Sequence, residues 1–431
     1  EGELRYQAQD SDSTHILTDE EYTEKARKAV SSLAIKGLFC MGHADGFISA
    51  STFSALDERE FEESPVTDPR NTVLAVCYTS GTTGLPKGAE VTHYNYVGCF
   101  YTSRQYIHWE DTDVVLGMSP ITHQSGMLFS MAGVLDGATV VVTPIMMGPL
   151  DIMDTVDKYK VTAAVLFSSQ LQGLVREMQR TGRRLPSFRN IAVGGSVLPT
   201  SVAEAAREAF AGIQNLLNMY GMTESCGLVT GQSKPGKPHN GTDVGVPGTM
   251  VEVKVVDVAT GRKLGPHQTG EICYRSMTAV KSYYKRPKET SELCDKDGWY
   301  KSGDAGYYDE DGRFYIVDRL KQMIKCMDNQ VVPAELEELL LREHGADIAE
   351  VSVVGIPHQE LGEAPAAAIV LTEEGSRQDR QQLAESIKGT VQRNLAVHKQ
   401  LYGGVFFVDS LPKTETAKIN RSVLARSLIR A

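Results

Sequence analysis

Leu150-Asp151-Ile152-Met153-Asp154-Thr155-Val156-Asp157-Lys158-Tyr159, followed after one lysine by Val161-Thr162-Ala163-Ala164-Val165-Leu166-Phe167, decides the architecture. The first segment returns apolar residues at helical intervals. The second is a short apolar run with β-branched members, so the pair reads as an amphipathic helix feeding a buried strand. The pattern repeats outward. Further strands are expected over 73–79, 138–143, 190–193 and 213–217, and a second helix over 201–210. Such alternation buries a sheet beneath helices on both faces, so the fold class is α/β, built on a doubly wound parallel sheet.

Beyond about residue 245 the texture becomes strands cut by Gly, Pro and Asp turns, with 251–257, 270–275 and 314–317 the clearest, which predicts a smaller β subdomain. After Asp318 it changes again. A helix over 333–341 opens at Pro333 with Glu335, Glu337 and Glu338 near its start. Strands over 351–356 and 366–371, a polar helix over 380–393 and a strand over 405–408 complete a separate small α/β domain. The expected division is 1–318 for the large domain, 319–322 for a hinge and 323–431 for a mobile lid.

The 431 residues suggest two or three domains. Hydrophobic residues make up 41% and charged residues 23%, ordinary globular proportions, and no apolar run of about 18 residues could cross a bilayer. With 44 Lys plus Arg against 55 Asp plus Glu, the formal charge is -11, which disfavours nucleic acid as a partner. Seven cysteines without a C-x-x-C pair fit reduced thiols inside a cell. The chain opens at Glu1 without a start methionine or targeting segment, which is expected of a fragment or processed product. Its end, Ile429-Arg430-Ala431, is not the peroxisomal S-K-L address, so the cytoplasm is the default expectation.

The strongest chemical signal follows the 73–79 strand: Thr79-Ser80-Gly81-Thr82-Thr83-Gly84-Leu85-Pro86-Lys87-Gly88. Its glycines let the backbone turn tightly and approach a ligand, while the hydroxyls and Lys87 supply donors for an anion. It reads as a phosphate cradle, though not a Walker loop, whose G-x-x-x-x-G-K-[S/T] spacing is absent. Three more motifs follow. They are Tyr220-Gly221-Met222-Thr223-Glu224; Gly298-Trp299-Tyr300-Lys301-Ser302-Gly303-Asp304 leading to Asp318-Arg319-Leu320-Lys321; and Pro412-Lys413-Thr414-Glu415-Thr416-Ala417-Lys418. Taken alone, Thr223-Glu224 would serve as a helix start, Ser302-Gly303-Asp304 as a turn and Lys418 as a solvated lysine.

Together, in this order, the four motifs resemble the AMP-forming adenylate-forming superfamily of acyl-CoA synthetases, 4-coumarate-CoA ligases, beetle luciferases and peptide-synthetase adenylation domains. The resemblance spans most of the chain. It implies that roughly a hundred further residues, a domain-sized share, precede this stretch in family members. It also implies ATP, Mg and CoA as ligands. ATP would be held by residues 79–84 with Lys87, by the turn Gly194-Gly195-Ser196, and by Tyr220, Gly221, Met222, Thr223, Asp304, Arg319 and Lys418. Tyr220 offers a face for adenine, Asp304 accepts from the ribose hydroxyls, and Glu224 is the Mg ligand. Lys418 would relieve repulsion between an attacking carboxylate and the α-phosphate, making Lys418, Thr223, Glu224 and Lys87 the catalytic set. Lys321 matches the hinge lysine, and Lys325 and Asp328 lie on the CoA side.

Ser119-Pro120-Ile121-Thr122-His123-Gln124 resembles the acyl-pocket segment, so the expected pocket comprises His123, Gln124, Gly195, Gly227 and Leu228. No aspartate stands near His123 to hold an amino acid's ammonium, which disfavours an amino-acid substrate. Asp328 replaces a glycine usual in the family, at a cost of about 1 kcal/mol if φ is positive. Absence of G-x-S-x-G and of G-x-G sets aside a serine hydrolase and a dinucleotide oxidoreductase. The expected function is an ATP-dependent acid-CoA ligase acting on a hydrophobic carboxylic acid, fatty or 4-coumarate-like. A catalytically silent nucleotide-binding fragment and a luciferase-like adenylating enzyme stand as alternatives.

Overall fold

The computed structural model describes residues 2–79, 85–144, 147–210, 212–232, 242–414 and 418–430. By contact density the chain divides into two units, Glu1–Tyr94 with Val280–Thr290, and Asn95–Ala279 with Ser291–Ala431.

In the first unit, α1 (Gly2–Asp10) and α2 (Thr23–Val30) accompany a small parallel sheet of β1 (His15–Thr18), β2 (Gly37–Cys40) and β3 (Ile48–Ser49). Strands β4 (Val73–Tyr78) and β5 (Gly88–Thr92) pair antiparallel, and Ser282–Tyr283 (β15 in chain order) adds to β5. This corrects one expectation. The 73–79 segment is a strand, but it belongs to this three-stranded antiparallel sheet rather than to the parallel one. A hairpin partner supplies the same apolar burial that a parallel neighbour would, so composition cannot tell the two apart.

The second unit begins in α3 (His93–Ser103) and continues as β6 (Val114–Gly117), α4 (Gln124–Leu135), β7 (Thr139–Val142), α5 (Pro149–Tyr159), β8 (Ala163–Phe167), α6 (Ser168–Thr181), β9 (Asn190–Gly194), α7 (Thr200–Ala209), β10 (Asn215–Met222), β11 (Gly227–Gly231) and β12 (Val246–Pro247). The sheet order is β12-β11-β10-β9-β8-β6-β7, parallel from β10 to β7, with antiparallel pairing at β11 and β12. Ile152, Met153 and Val156 of α5, the helical positions of the opening stretch, are buried with Leu166, Leu171, Leu174 and Ile191 in one core. Strand β6 escaped the sequence reading, and β10 runs five residues beyond its expected end, from 217 to Met222.

The β subdomain is the sheet β13 (Val251–Val256), β14 (Gly270–Ser276), β16 (Tyr300–Tyr308) and β17 (Phe314–Arg319), with α8 (Pro287–Leu293) before β16. A C-terminal sheet follows, of β18 (Ile324–Cys326), β19 (Asn329–Val331), β20 (Ile348–His358), β21 (Gly362–Leu371) and β22 (Gly404–Phe407). It packs with α9 (Pro333–Glu343), α10 (Arg380–Asn394) and α11 (Arg421–Arg430). Each expected C-terminal element is present. The Met327-Asp328 turn between β18 and β19 holds φ of +52° and +58°, so the aspartate does sit in the left-handed region that glycine tolerates best. Among the described residues no helix is long and apolar enough to cross a membrane.

Candidate active site

The chain order reverses direction across β6 and β8: β7 lies on one side of β6, whereas β8, β9 and β10 step away on the other. In open α/β sheets the crevice beyond the strand C-termini at such a reversal is where ligands bind. The segment after β6 brings His123 and the end of β8 brings Phe167, with ring centroids 6.1 Å apart. His123 caps α4, its Nδ1 accepting from the Ser125 N–H at 3.2 Å and lying 2.7 Å from the Ser125 hydroxyl. That assigns the ring proton to Nε2. Burial, reinforced by the Lys418 charge, pushes the imidazole down to about 4, so it is neutral at physiological pH.

Two further strand ends complete the rim. The β9 turn carries Gly194 and Gly195, the latter at φ +82°, where an added Cβ would lie 2.6 Å from the Phe167 ring and 3.2 Å from Lys418 Cε. Only glycine admits both neighbours. The β10 end carries Tyr220, and its register with β11 shifts between Tyr220 and Gly221. A Cβ at Gly221 would fall 2.2 Å from the Gly227 carbonyl oxygen, so a glycine is required for the two strands to close here. Thr223 and Glu224 follow in a single 3-10 turn, both half-buried.

Asp304 on β16 faces Arg319 on β17 across the ladder, with Arg319 Nε 3.4 Å from Oδ1, while the Tyr220 hydroxyl donates to Oδ2 at 2.6 Å. Asp304 is therefore engaged on both oxygens. Burial raises its carboxyl above the usual range against the pull of Arg319 and Tyr220, and burial likewise raises the Tyr220 phenol well above 10.

Lys418 reaches this group from the segment between β22 and α11. Its Nζ lies 5.7 Å from the Phe167 ring centroid, and the strand-like bridge Lys413–Ile419 and the Thr414 N–H bond to the Lys418 carbonyl at 2.8 Å frame its loop. Burial, then the Arg319 charge, lower the ammonium to about 8, partly offset by Asp304 and Glu224. Lys418 is thus a half-buried cation that feels the like charge of Arg319 as well as the opposite charges of Asp304 and Glu224.

Of the remaining residues expected in the acyl pocket, Gln124, Gly227 and Leu228 are buried, and the Gln124 amide donates to Cys226 Sγ at 2.8 Å. In the first unit, the Thr79 N–H bonds the Lys87 carbonyl at 2.9 Å, closing the hairpin, and Lys87 Nζ stands 5.2 Å from the Tyr283 ring centroid. Ser80 to Gly84 lie outside the described residues. Lys321, Lys325 and Asp328 are exposed. Metal-ligand clusters of three or more His, Cys, Asp or Glu are absent among the described residues.

Two participants were missed from sequence. Phe167 ends an apolar strand, where only its position at a strand C-terminus could have marked it. Arg421 donates two bonds to Glu337 at 2.7 and 2.8 Å and contacts Asp318 at 3.3 Å, tying α11 to α9 and to β17 across 84 and 103 residues.

The model of the AMP-binding enzyme family matches residues 1–284, and that of the AMP-binding enzyme C-terminal domain matches 335–418. The chain belongs to the AMP-binding enzyme family. Within this adenylate-forming family it is 35% identical over 372 residues to the luciferin 4-monooxygenase of Photinus pyralis, covering 84% of this chain and 65% of that protein. It is 30% identical to 4-coumarate–CoA ligase 1 of Arabidopsis thaliana, covering 99% of this chain and 77% of that one. The o-succinylbenzoate CoA synthetase of Bacillus subtilis, solved with its acyl-adenylate intermediate, superposes with a TM-score of 0.78 at 27% identity, over 98% of this chain and 80% of that one. Structures of the adenylate-forming family thus include nucleotide and acyl-adenylate complexes, and its CoA-ligase members make this chain a relative of ligases.

Proposed function

We propose that the chain is an ATP-dependent, AMP-forming acid-CoA ligase acting on a hydrophobic carboxylic acid, fatty or aryl-propenoic. The observation that carries the reading is the placement of the Lys418 ammonium, beside neutral His123 and Phe167, at the strand ends where the sheet reverses. In the first half-reaction a carboxylate oxygen attacks the α-phosphorus of ATP, the bond to the β-phosphate breaks, and pyrophosphate leaves. Two anions must approach, and a fixed ammonium in a half-buried site lowers that barrier more than solvent would. In the second, the thiolate of CoA attacks the acyl carbonyl and AMP departs.

Tyr220, Asp304 and Arg319 form the nucleoside-binding group in this reading, with Gly194, Gly195, Ser196, Gly221, Met222 and Thr223 as backbone and hydroxyl contacts. Residues 79–84 and Lys87 supply phosphate contacts in this reading. His123 offers an Nε2 proton to a carboxylate oxygen, and Gln124, Gly227 and Leu228 bound the acyl chain. Glu224 is the carboxylate assigned to Mg in this reading, a metal that takes one or two protein oxygens and completes its shell with phosphate and water. Bound there, Mg would neutralise phosphate charge. Residues 1–318 act as the large domain, 319–322 as the hinge with Lys321, and 323–431 as the lid, which turns to bring Lys325 and Asp328 to the CoA side.

The test is pyrophosphate exchange into ATP with a panel of aliphatic and aryl-propenoic acids, followed by CoA-thioester detection. Exchange and thioester with any of them supports the ligase. Exchange without thioester favours an adenylating enzyme of the luciferase kind, and neither product would mean a silent nucleotide-binding chain.

A further inference from the structure

Arg176 lies on α6, about two and a half turns beyond Phe167. Its Nη1 donates to the Ala349 carbonyl at 2.7 Å and its Nη2 to the Ile348 carbonyl at 2.9 Å, both at the start of β20. The β20–β21 register shifts between Ile348 and Glu350, which leaves Ala349 without a cross-strand partner. Strand β20 ends the path of its sheet. A bulge on such a strand frees neighbouring carbonyls from the ladder, and a guanidinium is the one side chain whose rigid fork can take two at once.

The same strand is tied to the segment that holds Lys418, between β22 and α11. Glu350, next to the bulge, pairs with Lys413 Nζ at 2.7 Å, and Lys413 bridges to Ile419 around Lys418. At the other end of α6, Phe167 immediately precedes the helix and its ring lies under the Lys418 ammonium. Helix α6 and the residue before it thus meet the C-terminal part of the chain at two places, through Arg176 at the bulge of β20 and through Phe167 at Lys418.

We propose that Arg176 is a positioning residue: by gripping the bulged start of β20 it latches the C-terminal sheet, and through Glu350 and Lys413 it keeps Lys418 over Phe167 for adenylate formation. The inference rests on the reading given under Proposed function. Adenylation needs this arrangement, whereas thioester formation needs the C-terminal sheet to leave it, so the latch favours the first half-reaction alone.

Arg176→Met and Arg176→Lys in the full chain separate these roles. Pyrophosphate exchange with 4-coumarate and with dodecanoate reports the first step, and CoA-thioester formation from synthetic 4-coumaroyl-AMP reports the second. Losing two charge-assisted bonds should slow exchange at saturating ATP by about ten- to hundredfold in Arg176→Met. Thioester formation should be unchanged or faster, and Arg176→Lys, which retains one donor point, should recover part of the exchange. Hydrogen exchange without substrate gives an independent reading. Peptides spanning Ile348 to Glu350 and Lys413 to Lys418 should exchange faster in Arg176→Met, with those covering Val353 and Ile369 unchanged. Equal slowing of both half-reactions, or unchanged hydrogen exchange at both segments, would overturn the latch. If the unsubstituted chain exchanges no pyrophosphate with either acid, the ligase reading fails, and hydrogen exchange alone decides the latch.

Discussion

Replacing Arg421 by methionine should cost the C-terminal sheet about 3–5 kcal/mol, the range for leaving buried charges unpaired. Arg421, Glu337 and Asp318 are only 18%, 15% and 6% exposed at their side chains. The guanidinium holds Glu337 through two bonds, contacts Asp318 at 3.3 Å and donates to the Gln322 amide oxygen at 3.0 Å. Methionine fills the stem volume but supplies no donor, so two carboxylates would face each other with little water. Hydrogen-exchange protection of Val353 and Ile369, on β20 and β21, measures the change inside this sheet without assuming that the whole chain unfolds in one step. In the Arg421→Met/Glu337→Gln double variant part of the loss should be recovered. A deficit below about 1 kcal/mol, typical of solvent-exposed pairs, would refute the buried cluster.

Asp328→Gly should stabilise the β18–β19 hairpin by about 0.5–1 kcal/mol, because the residue already holds φ +58°; a lowered melting temperature would contradict this. Asp304→Asn should weaken ATP binding by about tenfold or more in calorimetric titration, since the anionic acceptor between Tyr220 and Arg319 is lost, and unchanged affinity would remove Asp304 from the nucleotide site. His123, lowered to about 4, makes folding less favourable as pH falls from about 6.5 toward 4, because the unfolded state takes up the proton first. His123→Asn keeps a capping side chain on α4 and should flatten that slope in thermal melts; an unaltered slope would assign it to other groups.

The alternation of amphipathic helix and apolar strand was legible because each element carries its own burial pattern, as Ile152, Met153 and Val156 show on α5. What pairs with what was less so. β4 reads like a parallel strand until its partner β5 is known, and β10 continues past 217 only because Gly221 lets it close on Gly227. The motif residues of the second unit that converge, Tyr220, Asp304, Arg319, His123 and Lys418, were all nameable from sequence. Their couplings were not: the Tyr220 bond to Asp304 spans 84 residues, and Phe167, Arg176 and Arg421 act through contacts that no local pattern encodes. Asp328 is the converse case, where a departure from an expected glycine announced its left-handed backbone.

The most direct test of the account is Lys418→Ala assayed in both half-reactions. The ammonium beside Phe167 is assigned to the approach of carboxylate and α-phosphate, and losing one such electrostatic contact should cost about two to three powers of ten in rate. Pyrophosphate exchange should therefore fall by that factor, while thioester formation from preformed acyl-AMP and CoA continues at the unsubstituted rate. Equal loss in both steps, or undiminished pyrophosphate exchange, would contradict the role given to Lys418.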